Sequence, residues 1–199
     1  MPPTPTTLRD RARGAVRDEV SKQAWRLFAA QGFELTTVDQ IAAAAGMSRR
    51  TFFRYFESKE DLVLDRLLES GESVVDAMHE RPADEPPWTA LRGAFEAIVS
   101  VMEAHAVSSR PLQLMLHREP VLRGTVTELH RRWLESLTPL VAGRMPRRRG
   151  HRGPDVRAAA MTSSALACLE IAQTTWAADP SVRLSSLLDE VMGAVSPLD

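Results

Sequence analysis

Cysteine occurs once among the 199 residues, as Cys168. A single thiol excludes an intramolecular disulfide and any cysteine-rich metal site, so nothing points to an oxidising compartment. Lysine is almost as scarce: apart from Lys22 and Lys59, all 25 basic residues are arginine. Strand signals are missing too, with no period-two alternation between turn residues and no Asn-Gly or Asp-Gly hairpin. No apolar run approaches the roughly 18 residues of a membrane-spanning helix. The opening Met-Pro-Pro-Thr-Pro-Thr-Thr lacks the charged-then-apolar order of a signal peptide, so a cytoplasmic protein with no membrane partner is expected. A chain that is 26% charged and 44% hydrophobic is neither disordered nor collagen-like. Its net charge of -1 argues against bulk affinity for nucleic acid, which comes from neutralising phosphates with Lys and Arg.

That average hides an asymmetry. Up to residue 60 there are 10 Lys+Arg against 7 Asp+Glu (+3); after it, 15 against 19 (-4). A basic head precedes an acidic body.

Apolar residues recur at intervals of three and four throughout, which predicts an all-α chain. Residues 1–12 hold early prolines and no core pattern, and are expected to be a disordered basic arm. Val16, Val20, Ala24, Leu27 and Phe28 make one face of a helix over about 13–30, which Gly32 ends. Thr37-Val38-Asp39-Gln40 is a capping box opening a helix to about Ala44. Gly46 stops that helix, and Ser48 caps another from Arg49 to about Tyr55. Ser58 and Asp61 resemble a second capping box at the head of a helix to about His79. Further helices are expected at 88–107, 110–117, 121–144, 154–178 and 181–195, broken at Pro111, Pro120, 145–153 and Asp179-Pro180.

A short helix, a glycine turn and a second short helix describe a helix-turn-helix at about 37–56, whose second helix would present Ser48, Arg49, Arg50, Thr51 and Arg54 to a major groove. Arginine pairs bidentately with guanine, and threonine offers a methyl to thymine. The ordered run Phe28-x3-Gly32-Phe33-x2-Thr36-Thr37-Val38-x2-Ile41-Ala42-x2-Ala45-Gly46-Met47-Ser48-x-Arg50-Thr51-Phe52-Phe53-Arg54-Tyr55-Phe56-x-Ser58-Lys59-x2-Leu62 closely resembles the N-terminal domain of TetR-type (tetracycline repressor) regulators, over about residues 12–62.

The resemblance implies an N-terminal three-helix helix-turn-helix domain (13–60) and a C-terminal helical effector-binding and dimerisation domain (61–199). It implies a homodimeric regulator, usually a repressor, on a palindromic double-stranded operator and released by an effector; no cofactor and no metal are expected. By position, Thr37 would contact phosphate, Ser48, Arg49, Arg50 and Thr51 would approach bases, and Phe53, Arg54, Tyr55 and Lys59 would track the backbone. The sequence departs from the common pattern at Phe53, where tyrosine is frequent, and at Arg50, where a small residue is frequent. The plainer alternatives are a solvated face for the arginines and a pure helix cap for Thr37. Lys59 opposes the dipole of the helix it begins, which favours DNA contact over a local role. Arg9, Arg11, Arg13 and Arg17 are either an arm for the minor groove or a solvated arm. Arg144, Arg147, Arg148, Arg149 and Arg152 are expected in a mobile surface loop.

Beyond residue 80 the resemblance carries no specific motif. Trp88, Phe95, Met102, His105, Leu112, Met115, Trp133, Leu137, Met161, Cys168 and Trp176 are either a filled helical core or the lining of an apolar effector cavity. Of these, Trp88, Phe95, Met102, His105, Met115, Trp133, Leu137 and Cys168 are the candidate effector contacts. His105, His117 and His130 lack the spacing of a metal pair. Small residues along 154–178 and apolar residues along 181–195 suit a dimer interface over about 154–195. No phosphate loop, nucleophile elbow, His-Glu-x-x-His or paired carboxylate context is present, so no enzyme is expected; a DNA-binding regulator whose second domain only dimerises remains the alternative.

Overall fold

The computed structural model describes residues 7–146 and 155–198, with only the backbone of Asp10. Among the described residues there are helices and turns and no strands. The chain divides into two compact units, one ending at Arg66 and the other beginning at Leu67.

In the first unit, α1 (Leu8–Gln31) packs on α2 (Val38–Ala44), α2 packs on α3 (Arg49–Phe52), and Arg17 of α1 pairs with Asp65 at the start of α4 (Lys59–Glu80). Val20, Ala24 and Phe28 recur on one face of α1 and are buried with Phe33, Ile41, Phe52, Phe56 and Leu62. The Phe28 and Phe33 rings lie 5.0 Å apart and Phe52 and Phe56 5.4 Å, so aromatic contact closes this small core. Local chemistry sets the boundaries as expected. Gly32 and Gly46 take φ of +84° and +67°, the left-handed conformation that ends α1 and α2 at no steric cost. Ser58 accepts from the Asp61 amide at 3.0 Å, but the Asp61 carboxylate reaches back to the Glu57 amide at 3.1 Å, a variation on the expected box.

Two expectations are corrected here. Helix α1 begins at Leu8, not 13, so residues 8–12 of the supposed arm are helical, while residues 1–6 lie outside the described residues. Helix α3 ends at Phe52, not Tyr55, because the amides of Arg54 and Tyr55 turn to carbonyls three residues back.

The second unit assembles the rest of α4 with α5 (Pro87–Ala104), α6 (Ala106–Arg118), a 3-10 turn (Pro120–Leu122), α7 (Arg123–Arg144), α8 (Val156–Ala178) and α9 (Leu184–Val195). Helix α8 is central, packing on α5, α6, α7 and α9. Leu91, Phe95, Leu137, Val141, Leu169, Trp176, Leu184 and Leu188 are buried in one cluster. Pro111 lies inside α6 instead of breaking the chain; the break falls at His105, whose ψ of 35° turns α5 into α6. The carbonyl that Pro111 leaves without an amide belongs to Val107, a fully exposed residue where water can replace it. Arg144 ends α7 and is no part of a loop, whereas Arg147, Arg148, Arg149 and Arg152 lie outside the described residues.

Candidate functional site

The Thr37 hydroxyl accepts from the Gln40 amide at 3.2 Å while the Gln40 side chain accepts from the Thr37 amide at 2.9 Å, which starts α2 at Val38. The turn at Gly46 leads directly to Ser48, whose hydroxyl accepts from the Thr51 amide at 3.1 Å and meets the Thr51 hydroxyl at 2.9 Å. The capping that builds α3 thus places its whole first turn. Phe52 and Phe56 turn inward and are fully buried, which leaves Ser48, Arg49, Arg50, Phe53 and Arg54 exposed and Thr51 half-buried on the other side.

The arginines differ in their surroundings. Arg49 donates from Nη1 to Asp39 on α2 at 2.9 Å, and its guanidinium lies 5.6 Å from the Phe53 ring. Arg54 lies 5.3 Å from the Tyr55 ring, and Arg13 of α1 lies 5.9 Å from the same ring. Tyr55 is half-buried, with its carbonyl taken by Arg17.

Lys59 is a correction. Its ammonium donates to the carbonyls of Phe33 at 2.8 Å and Thr36 at 3.2 Å and sits 4.2 Å above the Phe33 ring. Those carbonyls belong to the turn between α1 and α2, so Lys59 has the local role that its place at the head of α4 did not suggest. Arg17, expected in the basic arm, is equally occupied: it pairs with Asp65 at 2.5 Å, donates to the Tyr55 carbonyl at 2.6 Å and covers the Phe56 ring at 4.6 Å. Sequence spacing could not reveal either role, since each partner lies more than twenty residues away. Asp39 was also missed as a member of the site, although its position one helix before Arg49 was a usable signal.

In the second unit a cavity of about 410 Å³ opens between α4 and α7, lined by Leu68, Gly71, Val75, Trp133 and the polar Glu72, Asp76, Arg132 and Ser136. Of the eight effector candidates this cavity takes only Trp133. Phe95, Leu137 and Cys168 belong to the filled core, and burial pushes the Cys168 thiol up, which suits an inert group. Trp88 is buried with its indole donating to the Ser196 carbonyl at 3.0 Å. Met102 and Met115 are half-buried away from the cavity, and the exposed His105 sits at the α5–α6 corner, its Nδ1 donating to Val101. Choosing by residue type selected packing residues, because large apolar side chains fill cores more often than they line cavities. The Trp133 indole N–H is buried without a partner, and a Cβ on Gly71 would stand 2.1 Å from it. Gly71, small enough to admit that ring, was not foreseen.

A capped helix pair whose second member presents a polar first turn from a closed aromatic core defines a helix-turn-helix DNA-binding domain. Residues 21–65 match the model of bacterial regulatory proteins of the tetR family, and residues 85–197 match that of the MftR C-terminal domain. The chain belongs to the TetR family of transcriptional regulators. It is 30% identical over 190 residues, 92% of each chain, to MftR of Mycobacterium tuberculosis, whose name assigns it to the regulation of mycofactocin biosynthesis. It is 45% identical over 92 residues to the transcriptional regulator TcmR of Streptomyces glaucescens, a match to 46% of this chain and 41% of that one. Among solved structures it is similar to the repressor FadR of Thermus thermophilus in complex with lauroyl-CoA, at 26% identity and a TM-score of 0.59 over 90% of this chain and 92% of that one. Among the described residues no helix is long and apolar enough to cross a membrane.

Proposed function

We propose that the chain is a homodimeric repressor that binds a palindromic operator through α3 and is released by a small, mainly apolar effector. The observation that carries the reading is the first turn of α3, where Ser48, Arg49 and Arg50 stand exposed beside a core that fixes them. Ser48, Arg49, Arg50 and Thr51 are the base-approaching set, and Thr37, Phe53, Arg54 and Tyr55 the set beside the phosphates, with Lys59 removed from it. Dimerisation is supported by an exposed stripe of small and apolar residues along α8, running Val156, Ala160, Ser163, Ala167 and Ile171.

The effector reading rests on the α4–α7 cavity and on the lauroyl-CoA complex of the Thermus thermophilus relative. Leu68, Val75 and Trp133 would face the apolar part of such a ligand. Helix α4 carries the cavity residues Leu68–Asp76 and also Lys59, so a ligand that displaces it acts on the helix that begins in the DNA-binding domain.

The test is selection of duplexes from a random pool by the full chain, followed by titration of the selected operator with and without lauroyl-CoA. A palindromic site bound by two protomers and lost on adding the acyl-CoA is expected. A monomer at micromolar concentration would remove the dimer, and binding that no acyl chain or other apolar ligand weakens would leave a second domain that only dimerises.

A further inference from the structure

We infer that Asp39 is a positioning residue for DNA recognition: it holds the Arg49 guanidinium so that the remaining edge of its fork reads a guanine in the operator. The inference rests on the reading that α3 enters the major groove, and it concerns a residue outside the recognition helix. Asp39 stands in the first turn of α2, where a carboxylate also suits the helix dipole. That dipole does not require the acid to face Arg49, yet its Oδ2 accepts from Arg49 Nη1 at 2.9 Å across the turn. Both side chains are more than three-fifths exposed, and an open pair of this kind adds little to stability. Its consequence is orientation. An arginine side chain otherwise samples many rotamers, which must be given up on binding a base.

Nη1 is committed to Asp39, so Nε and Nη2 form the free edge, and two parallel donors match the O6 and N7 acceptors of guanine. Phe53 supplies a second wall at 5.6 Å from the guanidinium, which gives a role to an aromatic ring that is 45% exposed. Arg50, exposed on the same turn, has no acidic partner of this kind among the described residues. The two neighbouring arginines therefore divide into a held side chain and an unheld one. The carboxylate carries a cost in affinity for all DNA, because it lies beside a surface that meets phosphates. Placing it there favours discrimination over strength.

The experiment uses the full chain and its selected operator, with guanines replaced one at a time by 7-deazaguanine, which keeps Watson–Crick pairing and removes N7. Wild-type protein should lose roughly tenfold in affinity at one position per half-site, the lower end for a lost bidentate contact. Arg49→Ala should abolish that sensitivity. Asp39→Ala should reduce it at least threefold while holding or raising affinity for random duplex, and the double variant should be no less discriminating than Arg49→Ala alone. Asp39→Asn, nearly the same shape, guards against a folding defect and should fall between. If Asp39→Ala and Asp39→Asn keep the full sensitivity while Arg49→Ala loses it, the inference fails and the recognition reading stands. If Arg49→Ala changes no position, both fail.

Discussion

At the scale of single residues, the molecule uses its cations for different ends. Lys59 donates to carbonyls of the α1–α2 turn, those of Phe33 and Thr36 being nearest, and covers the Phe33 ring. Replacing it with methionine keeps the stem and removes the charge, and should destabilise the protein by about 1–2 kcal/mol, near the lower end for charged hydrogen bonds because the turn is partly open to water. Urea unfolding of the full chain measures this. Gly71 makes the opposite case, where what matters is an absent atom. Gly71→Ala sets a methyl 2.1 Å from the Trp133 indole nitrogen, and that ring is buried. Overpacking of this kind costs about 1–3 kcal/mol. The same variant should narrow the α4–α7 cavity, so a weaker response to an apolar ligand accompanying the lower unfolding midpoint is the expected pair of results. Residues acting within four positions were legible in the sequence: Thr37, Ser48, Gly32 and Gly46 all do what local rules assign. Lys59, Arg17 and Gly71 were not, because their partners are distant in sequence and nothing in the spacing encodes them.

At the scale of elements, the second unit closes its helix ends with side chains from other helices. Arg144, the last residue of α7, donates to the Met78 and Arg81 carbonyls at 2.8 and 3.1 Å and so caps the end of α4. Arg110 of α6 serves α8 in the same way, donating to the Trp176 and Asp179 carbonyls and covering the Trp176 ring at 4.2 Å. The start of α9 is held by an acid: Glu103 of α5 accepts from the Ser185 amide at 2.9 Å and hydroxyl at 3.1 Å. Partial burial pushes the Glu103 carboxyl up, but the Ser185 donors and Arg183 outweigh it, and the net shift is downward. Between its folded value and the ordinary value of about 4.3, the unfolded chain binds the proton and the folded chain does not. Stability from this contact is therefore complete above the ordinary carboxyl range and is lost as the pH falls through the lower folded value. Glu103→Gln should lower the midpoint at pH 7 and flatten its decline in acid, which thermal unfolding from pH 3.5 to 7 can follow. The existence of α9 was legible from its apolar period, but its start at Leu184 instead of 181 was not, since the capping group comes from another helix.

At the scale of the whole molecule, a net charge of -1 conceals a head of +3 and a body of -4. A chain so balanced has little long-range attraction for DNA, and affinity must come from a small number of placed contacts. Of the basic residues near α3, Lys59 and Arg17 have partners inside the domain and Arg49 is paired with Asp39, so Arg50 and Arg54 are the exposed arginines there without an acidic partner among the described residues. Arg54 leaves the helix at the turn after Phe52 and lies against Tyr55, where a phosphate contact suits it better than a base contact. Each phosphate contact contributes about 0.9 to the slope of log affinity against log salt. Arg54→Gln should therefore lower that slope by about 1.8 if two heads engage one duplex together, and by about 0.9 if one does. Lys59→Met should leave it unchanged. Titrations of the selected operator between 50 and 200 mM salt would read both variants, with the ratio of the Arg54 effect to one contact giving the number of heads on the DNA. An equal loss of slope in Lys59→Met would mean that its ammonium leaves the α1–α2 turn on binding, and a slope unaltered by Arg54→Gln would move the phosphate contact to Arg50.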